Sequence, residues 1–150
     1  HTAYRRQRQM CIRDRCRSAL QVYMPTDSTA PMWCTAAGKL YLSTLAKPER
    51  ETILRHFDLT AKTTHTQTNL KQLSQELDMA AAQKYAVSDE EYIAQTVSVA
   101  VAITDTQGRY IGSLYATAPK SRTTLTDLVK FVPDMQQAAV AICSAFFGQV

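Results

Sequence analysis

The sequence lacks the features that would place it outside ordinary globular proteins. Its 150 residues include only four glycines and five prolines, and no repeat or low-complexity segment is visible. The longest apolar-rich run, from Ala138 to Phe147, is about half the roughly 20 residues that a membrane-spanning helix needs. The four cysteines are widely spaced and form no metal-binding or redox motif. We therefore expect no membrane segment, no disulfide framework and a reducing cytoplasm.

The net charge of +4 is unevenly distributed along the chain. Residues 1–17 hold six arginines against one acidic residue, whereas residues 18–150 hold 11 basic and 12 acidic residues. The body is nearly neutral and has no basic face of the kind that nucleic-acid-binding domains carry. The arm is either an Arg-rich tail for nucleic acid or acidic membranes, or a non-native segment that resembles translated adapter sequence. We favour the second interpretation and expect native sequence to start near Arg17.

The order of periodicities predicts an α+β domain with an antiparallel sheet and helices on its faces. Residues 18–24 alternate as a strand, and leucine stripes predict helices from Ala36 to about Leu45, from Pro48 onward, and from about Asn69 to Lys84. After residue 84 the side chains alternate with a period of two residues, which predicts strands at 85–88, 96–104 and 110–117. A final helix is capped by Thr124 and kinked or broken at Pro133. The predicted buried stripes are Leu70, Leu73 and Leu77 in the third helix, and Leu125, Leu128, Val132, Met135, Ala139, Ile142 and Phe146 in the last.

The strand predicted at 96–104 has two different faces. One face is large and β-branched and suits a core, whereas the other is uniformly small and half hydroxylated. Either a helix packs closely on the small face, or the space above it is a ligand cavity with a few placed polar groups. Ser113, Tyr115 and Thr117 on the partner strand add hydroxyl groups to one face and favour the cavity.

A second candidate site is the start of the first helix, at Thr35 to Gly38. Small residues there let a ligand approach the free backbone N–H groups, which together with the helix dipole favour an anion such as a carboxylate. The segment does not have the Gly-x-x-x-x-Gly-Lys-Ser/Thr spacing of a phosphate-binding loop. Structural capping by Thr35 is the other interpretation.

Few side chains are arranged in a way that is typical of catalytic or metal-binding sites. Cys34 lies near a helix start, where its pKa could be lowered, and His65 could pair with it, although a lone cysteine is usually part of a core. The acidic run from Asp89 to Glu91 suits either a cation site or, as we prefer, a solvated turn. We therefore expect no enzyme activity, no metal and no cofactor.

Three motifs resemble those of IclR-type transcriptional regulators. Residues 31–39, Pro-Met-Trp-Cys-Thr-Ala-Ala-Gly-Lys, are similar to a family signature that ends in Ala-Gly-Lys. Residues 85–92 resemble a Tyr-x-x-Asp-x-Glu-Glu segment, and residues 117–122 resemble Ser-Gly-Pro-x-Ser-Arg. The motifs occur in the family's order, and the resemblance spans residues 18–150.

The resemblance implies the C-terminal effector-binding domain of such a regulator, N-terminally truncated, with a GAF/PAS-like fold. It implies a small organic acid as effector, a homodimer or homotetramer, and contact with DNA only through a separate winged helix-turn-helix domain that is missing here. The alternatives are a structural dimerisation module without a ligand and a Cys34-dependent hydrolase. The family's pocket positions fall on Val22, Ala36, Ala37, Ser88, Thr96, Ser98, Tyr115 and Thr117.

The sequence also departs from the family pattern. Lys84 and Gln95 stand where glycine is common, Ser88 where an acid is usual, and Ala118 replaces the glycine before Pro119. Tyr115 is bulkier than the usual small residue and is expected to shrink the pocket.

Overall fold

The computed structural model describes residues 29–147. In chain order, three helices precede three strands, and two further helices follow. The strand predicted at 18–24, which includes Val22, lies outside the described residues. The elements are α1 (Ala36–Thr44), α2 (Lys47–Leu54), α3 (Leu70–Gln83), β1 (Tyr85–Asp89), β2 (Thr96–Thr104), β3 (Tyr110–Pro119), α4 (Leu125–Val129) and α5 (Val132–Phe147).

The three strands form an antiparallel sheet in the order β1-β2-β3, which confirms the α+β class with helices on the sheet. The central strand β2 places Ser98 opposite Ser88 on one side and opposite Thr117 on the other. The β2–β3 connection turns at Gly108, whose φ of +77° suits a residue without a side chain. Asp105 accepts hydrogen bonds from the backbone N–H groups of Gln107 and Arg109, which closes this turn.

The branched face of β2 forms a core with the C-terminal helices. Val97, Val99 and Val101 are fully buried and pack with Leu128 of α4 and with residues of α5. Phe146 was expected in this stripe but is 62% exposed. The cluster against β2 extends along α5 only as far as Ala139, and Phe146 lies about two turns beyond it.

The break expected in the C-terminal helix is confirmed, but it falls at residues 130–131, between α4 and α5, and not at Pro133 itself. The proline lies in the first turn of α5, where its missing N–H removes no intrahelical hydrogen bond. In α2 the helix begins at Lys47, one residue before the predicted start at Pro48.

A second core lies among the first three helices. It contains Leu42 of α1, Leu54 of α2, and Leu73 and Leu77 of α3, together with Met32, Trp33 and Cys34 from the preceding turn. Leu70 was predicted to belong to this stripe but is 43% exposed. It is the first residue of α3, next to the Asn69 N-cap, and it lies outside the packed cluster.

The small face of β2 is covered in part by α1. Ala100 is fully buried and packs against Ala36 and Leu40 of α1 and Ala80 of α3. Short side chains let the helix approach the sheet closely at this point. The close-packed helix that was one interpretation of the small face is therefore present around Ala100, but it does not extend along the whole strand.

Candidate functional site

A hollow opens at the Thr96 end of the small face of β2, between the sheet and the start of α1. Its empty volume is about 490 Å³, including the part that is open to solvent. Seven of the eight predicted pocket residues lie on its wall, and the eighth, Val22, is outside the described residues. The lining residues are Ala30, Thr35, Ala36, Ala37, Ser88, Tyr92, Ile93, Thr96, Ser98, Tyr115 and Thr117.

The first turn of α1 forms one wall of the hollow. Thr35 is its N-cap: the side chain accepts a hydrogen bond from the N–H of Gly38 and donates one to the carbonyl of Pro31 at 2.8 Å. This cap leaves the N–H groups of Ala36 and Ala37 without an acceptor among residues 29–147. Capping by Thr35 therefore coexists with two N–H groups that have no acceptor in the described part of the chain.

Gly38 holds this helix start against the preceding turn. A Cβ placed on Gly38 would lie 2.4 Å from the Cα of Met32 and 2.5 Å from its carbonyl oxygen. These distances are far below van der Waals contact, so only glycine allows the turn to approach the helix so closely. The Ala-Ala-Gly run thus positions the wall of the hollow.

The hydroxyl groups on the sheet are arranged in a definite pattern. Ser98 Oγ and Thr117 Oγ1 lie 2.8 Å apart and share a hydrogen bond across β2 and β3. The Ser88 hydroxyl donates to the carbonyl of Cys34 at 3.0 Å, which ties β1 to the turn before α1. Ser88 therefore lines the hollow mainly as a structural link, and so does Thr96, whose hydroxyl donates to the carbonyl of Ile93 at 2.7 Å. The hydroxyl groups of Ser98 and Thr117 bond to each other.

Tyr115 lies at the boundary between the hollow and the close-packed part of the sheet. It stands opposite Ala100 in the β2–β3 register and packs against the small-residue cluster beneath α1. The ring is therefore one wall of the hollow, and it lies where the hollow ends along β2.

The acidic run after β1 is not the solvated turn that we expected. The side chains of Glu90 and Glu91 are 7% and 11% exposed, and each is paired with a lysine at 2.6 Å: Lys120 for Glu90 and Lys39 for Glu91. The Lys120 ammonium and the N–H of Gln95 hold the pKa of Glu90 below its usual value. Burial raises the pKa of Glu91 despite the nearby Lys39. No cluster of three metal-ligating side chains occurs within residues 29–147.

Cys34 does not fit the role of a nucleophile. Its side chain is fully buried, and burial, with a smaller effect from Glu91, raises the pKa of the thiol to about 12. The thiol therefore stays protonated at neutral pH, contrary to the lowered pKa considered from its position near a helix start. His65, its suggested partner, is exposed.

The sequence did not reveal three of the lining residues. Thr35 belonged to the second candidate site, whereas Ala30, Tyr92 and Ile93 were not identified as site residues. The turn after β1 brings Tyr92 and Ile93 to the hollow, and the glutamates of this turn pair with lysines that are distant in the chain. In the part of the chain that the structure describes, no helix is long and apolar enough to cross a membrane.

A small α+β domain with a lined hollow between its sheet and a helix start defines a ligand-binding domain, here of the class found in bacterial transcriptional regulators. The family described as "Bacterial transcriptional regulator IclR C-terminal" matches residues 3–144. The chain belongs to this family, and it corresponds to the effector-binding part of such regulators.

Individual relatives agree with this assignment. The transcriptional regulator SauR of Cupriavidus necator is 30% identical over 127 residues, which cover 85% of this chain and 50% of SauR. A Rhodococcus protein described as a transcriptional regulator superposes with a TM-score of 0.82 at 23% identity, over 87% of this chain and 54% of its own. A double mutant of the inducer-binding domain of PobR from Acinetobacter, solved with 3-hydroxybenzoic acid, gives a TM-score of 0.78 at 23% identity, over 84% of this chain and 73% of its own. The chain spans about half the length of the curated relatives that it matches.

Proposed function

We propose that this domain binds a small organic acid in the hollow and that binding controls a DNA-binding regulator of which the domain is part. The observation that carries the proposal is that Ala36 and Ala37 line the hollow and that their N–H groups have no acceptor among residues 29–147. None of the lining residues within that range is charged, so the helix start is the feature that favours a negatively charged ligand.

In this proposal the effector carboxylate accepts hydrogen bonds from the N–H groups of Ala36 and Ala37. The Ser98–Thr117 hydroxyl pair lies on the sheet side and orients the remaining polar atoms of the effector. Tyr115 and Tyr92 border the apolar part of the ligand. That Val22 closes the apolar side stays a prediction.

The chemistry of one structural neighbour supports this class of ligand. The PobR inducer-binding domain was solved with 3-hydroxybenzoic acid, which carries one carboxylate and one hydroxyl group. The hollow offers a matching arrangement, with N–H donors at one wall and a hydroxyl pair at another. Departures such as Tyr115 mean that the effector of this chain need not be the same acid.

The rest of the proposal concerns the longer protein. Effector binding shifts a conformational or assembly equilibrium, and a winged helix-turn-helix domain elsewhere in the protein reads that shift at DNA. The assembly is a homodimer or homotetramer located in the cytoplasm. The domain has no catalytic role, which agrees with the named relatives being regulators and with the protonated thiol of Cys34.

Thermal unfolding in the presence of a panel of acids tests the proposal. Acetate, pyruvate, lactate, benzoate and 3-hydroxybenzoate, each in excess, should include at least one acid that raises the Tm in a concentration-dependent way. Ala37→Trp fills the hollow beside the helix start and should abolish the shift. Ala82→Trp, on the exposed side of α3, introduces the same side chain away from the hollow and should preserve it. An unchanged Tm across the panel, or equal shifts in both tryptophan variants, would contradict the proposal.

A further inference from the structure

A buried lysine connects α1 to the segment that follows β1. The side chain of Lys39 is 5% exposed, and its Nζ lies 2.6 Å from Oε1 of Glu91 and 3.2 Å from Oε2 of Glu76 in α3. Lys39 is one turn along α1 from Ala36, which lines the hollow. It is also the one cation within 4 Å of the Glu91 carboxylate among residues 29–147.

Glu91 belongs to the β1–β2 connection, residues 90–95, which supplies Tyr92 and Ile93 to the hollow. This connection is attached from its other side by the polar loop before α3. The Thr63 hydroxyl donates to the carbonyl of Glu90, and the Thr66 hydroxyl donates to the carbonyl of Glu91, each at 2.6 Å. The connection is thus held at its backbone carbonyls by Thr63 and Thr66, and its two glutamates are paired with Lys120 and with Lys39 of α1.

The backbone of the connection includes two residues in an unfavourable conformation. Glu90 and Gln95, at its two ends, both have φ values of +59°, a region that residues with a side chain rarely adopt. The N–H of Gln95 donates to Oε2 of Glu90 at 2.9 Å, which closes the segment. Such conformations persist only where the surroundings hold them, and Lys39 and Lys120 are the charged groups that do so here.

We infer that Lys39 and Glu91 are positioning residues for the hollow: their ion pair fixes the 90–95 connection against α1 and so sets the distance between the Tyr92–Ile93 wall and the helix start. The part of the inference that concerns ligand affinity rests on the proposed function. The part that concerns the position of the connection does not.

A buried pair of this kind is well suited to positioning rather than to stability. The desolvation of both charges offsets much of their attraction, while removal of one partner leaves an unpaired buried charge. Lys39→Met or Glu91→Gln alone therefore risks unfolding. The double variant Lys39→Met/Glu91→Gln removes the ion pair without leaving either charge alone in the interior. The matched control is Glu76→Gln, which removes the other, more exposed carboxylate on Lys39 and leaves Glu91 paired.

Hydrogen exchange of the ligand-free protein tests the positioning directly. In the double variant we expect the amides of residues 90–95 to exchange at least tenfold faster than in the parent, whereas the amides of α2 keep their rates. Glu76→Gln should leave both segments unchanged. If residues 90–95 exchange at the parental rate in a folded double variant, or if every segment accelerates equally, the inference is overturned.

Binding of the same five acids, followed by the fluorescence of the single tryptophan, Trp33, provides the second readout. Trp33 lies in the turn immediately before α1, next to the wall of the hollow. Any acid that binds the parent should bind the double variant about tenfold more weakly and Glu76→Gln normally. Equal affinity of parent and double variant would contradict the inference while leaving the proposed function intact. If no acid binds the parent, the proposed function fails, and the exchange rates alone decide the positioning role.

Discussion

Ser98 and Thr117 stand directly opposite each other on β2 and β3, and their hydroxyl oxygens are 2.8 Å apart on the wall of the hollow. Each hydroxyl group has one hydrogen to donate. When one of them donates to the other, the hydrogen of the second remains for a ligand. The pair therefore presents a single donor at a defined place, which suits the recognition of one oxygen atom.

Replacement of Thr117 by valine should selectively weaken the binding of hydroxylated acids. Thr117→Val keeps the shape of the side chain but removes the hydroxyl group. Because a hydrogen bond contributes about 0.5–1.5 kcal/mol, we expect the Kd for 3-hydroxybenzoate to rise about three- to tenfold and that for benzoate to change less. Titration calorimetry measures both constants. Thr104→Val, at the exposed end of β2, is the control, and an equal loss for both acids would argue against the assigned role.

A methyl group at Gly38 should destabilise the domain. The added Cβ would lie within 2.7 Å of three atoms of Met32 and Thr35, two of which belong to the backbone. We expect Gly38→Ala to lower the free energy of unfolding by about 1–3 kcal/mol, as overpacking does in other proteins. Gly112→Ala is the matched control, because a Cβ there meets no atom within 4 Å. Urea denaturation measures the free energy of unfolding of both variants. Equal values would show that the turn before α1 moves to accommodate the added methyl group.

Truncation of Tyr115 should enlarge the hollow along β2. The ring borders the hollow and packs toward Ala100, so Tyr115→Ala removes the wall on that side. We expect the variant to bind 1-naphthoate about tenfold or more tightly than the parent does, at some cost in Tm. Tyr115→Phe keeps the ring and should retain the parental size limit. Exclusion of naphthoate by the alanine variant would place the limit elsewhere in the hollow.

The Glu90–Lys120 ion pair predicts a particular pH dependence of stability. The pKa of Glu90 is held below its ordinary value of 4.5, mainly by Lys120 and then by the N–H of Gln95. The stability that this carboxylate contributes is therefore complete above pH 4.5 and is lost as the pH falls through the lower, folded-state pKa. Lys120→Met should be less stable than the parent at pH 6, and the difference should shrink below pH 4.5.

Urea denaturation between pH 6 and pH 3 measures that difference. Lys71→Met, on the exposed surface of α3, serves as the charge-matched control and should show no such convergence. A gap between parent and Lys120→Met that stays constant down to pH 3 would show that Glu90 is not the group that responds.

Local patterns in the sequence predicted the sheet and most helices well. The strict alternation from Thr96 to Thr104 gave the bounds and both faces of β2, and Thr35 and Thr124 cap helices as expected. These features depend on neighbouring residues and on backbone geometry.

The family departure at Lys84 places a residue with a side chain in a left-handed conformation. Its φ is +67° at the end of α3, where a glycine would be unstrained.

The remaining features depend on partners far away in the chain. Glu91 appeared to belong to a solvated turn because Lys39, with which it forms a buried ion pair, is 52 residues earlier. Likewise, nothing local shows that α1 covers Ala100 but leaves Ser98 facing a hollow. Leu70 and Phe146 matched the helical period and are nevertheless exposed, because periodicity does not show where the neighbouring layer ends.

Strand β2 acts as a partition between two compartments. Thr96 and Ser98 face the hollow, while Val97 and Val99, adjacent to them in the chain, are fully buried against the C-terminal helices. Close-packed interiors are nearly incompressible, so a displacement imposed on one side of such a strand cannot be absorbed on the other. Only the thickness of the β2 backbone separates the C-terminal helices from an occupant of the hollow. A displacement of β2 therefore also displaces these helices.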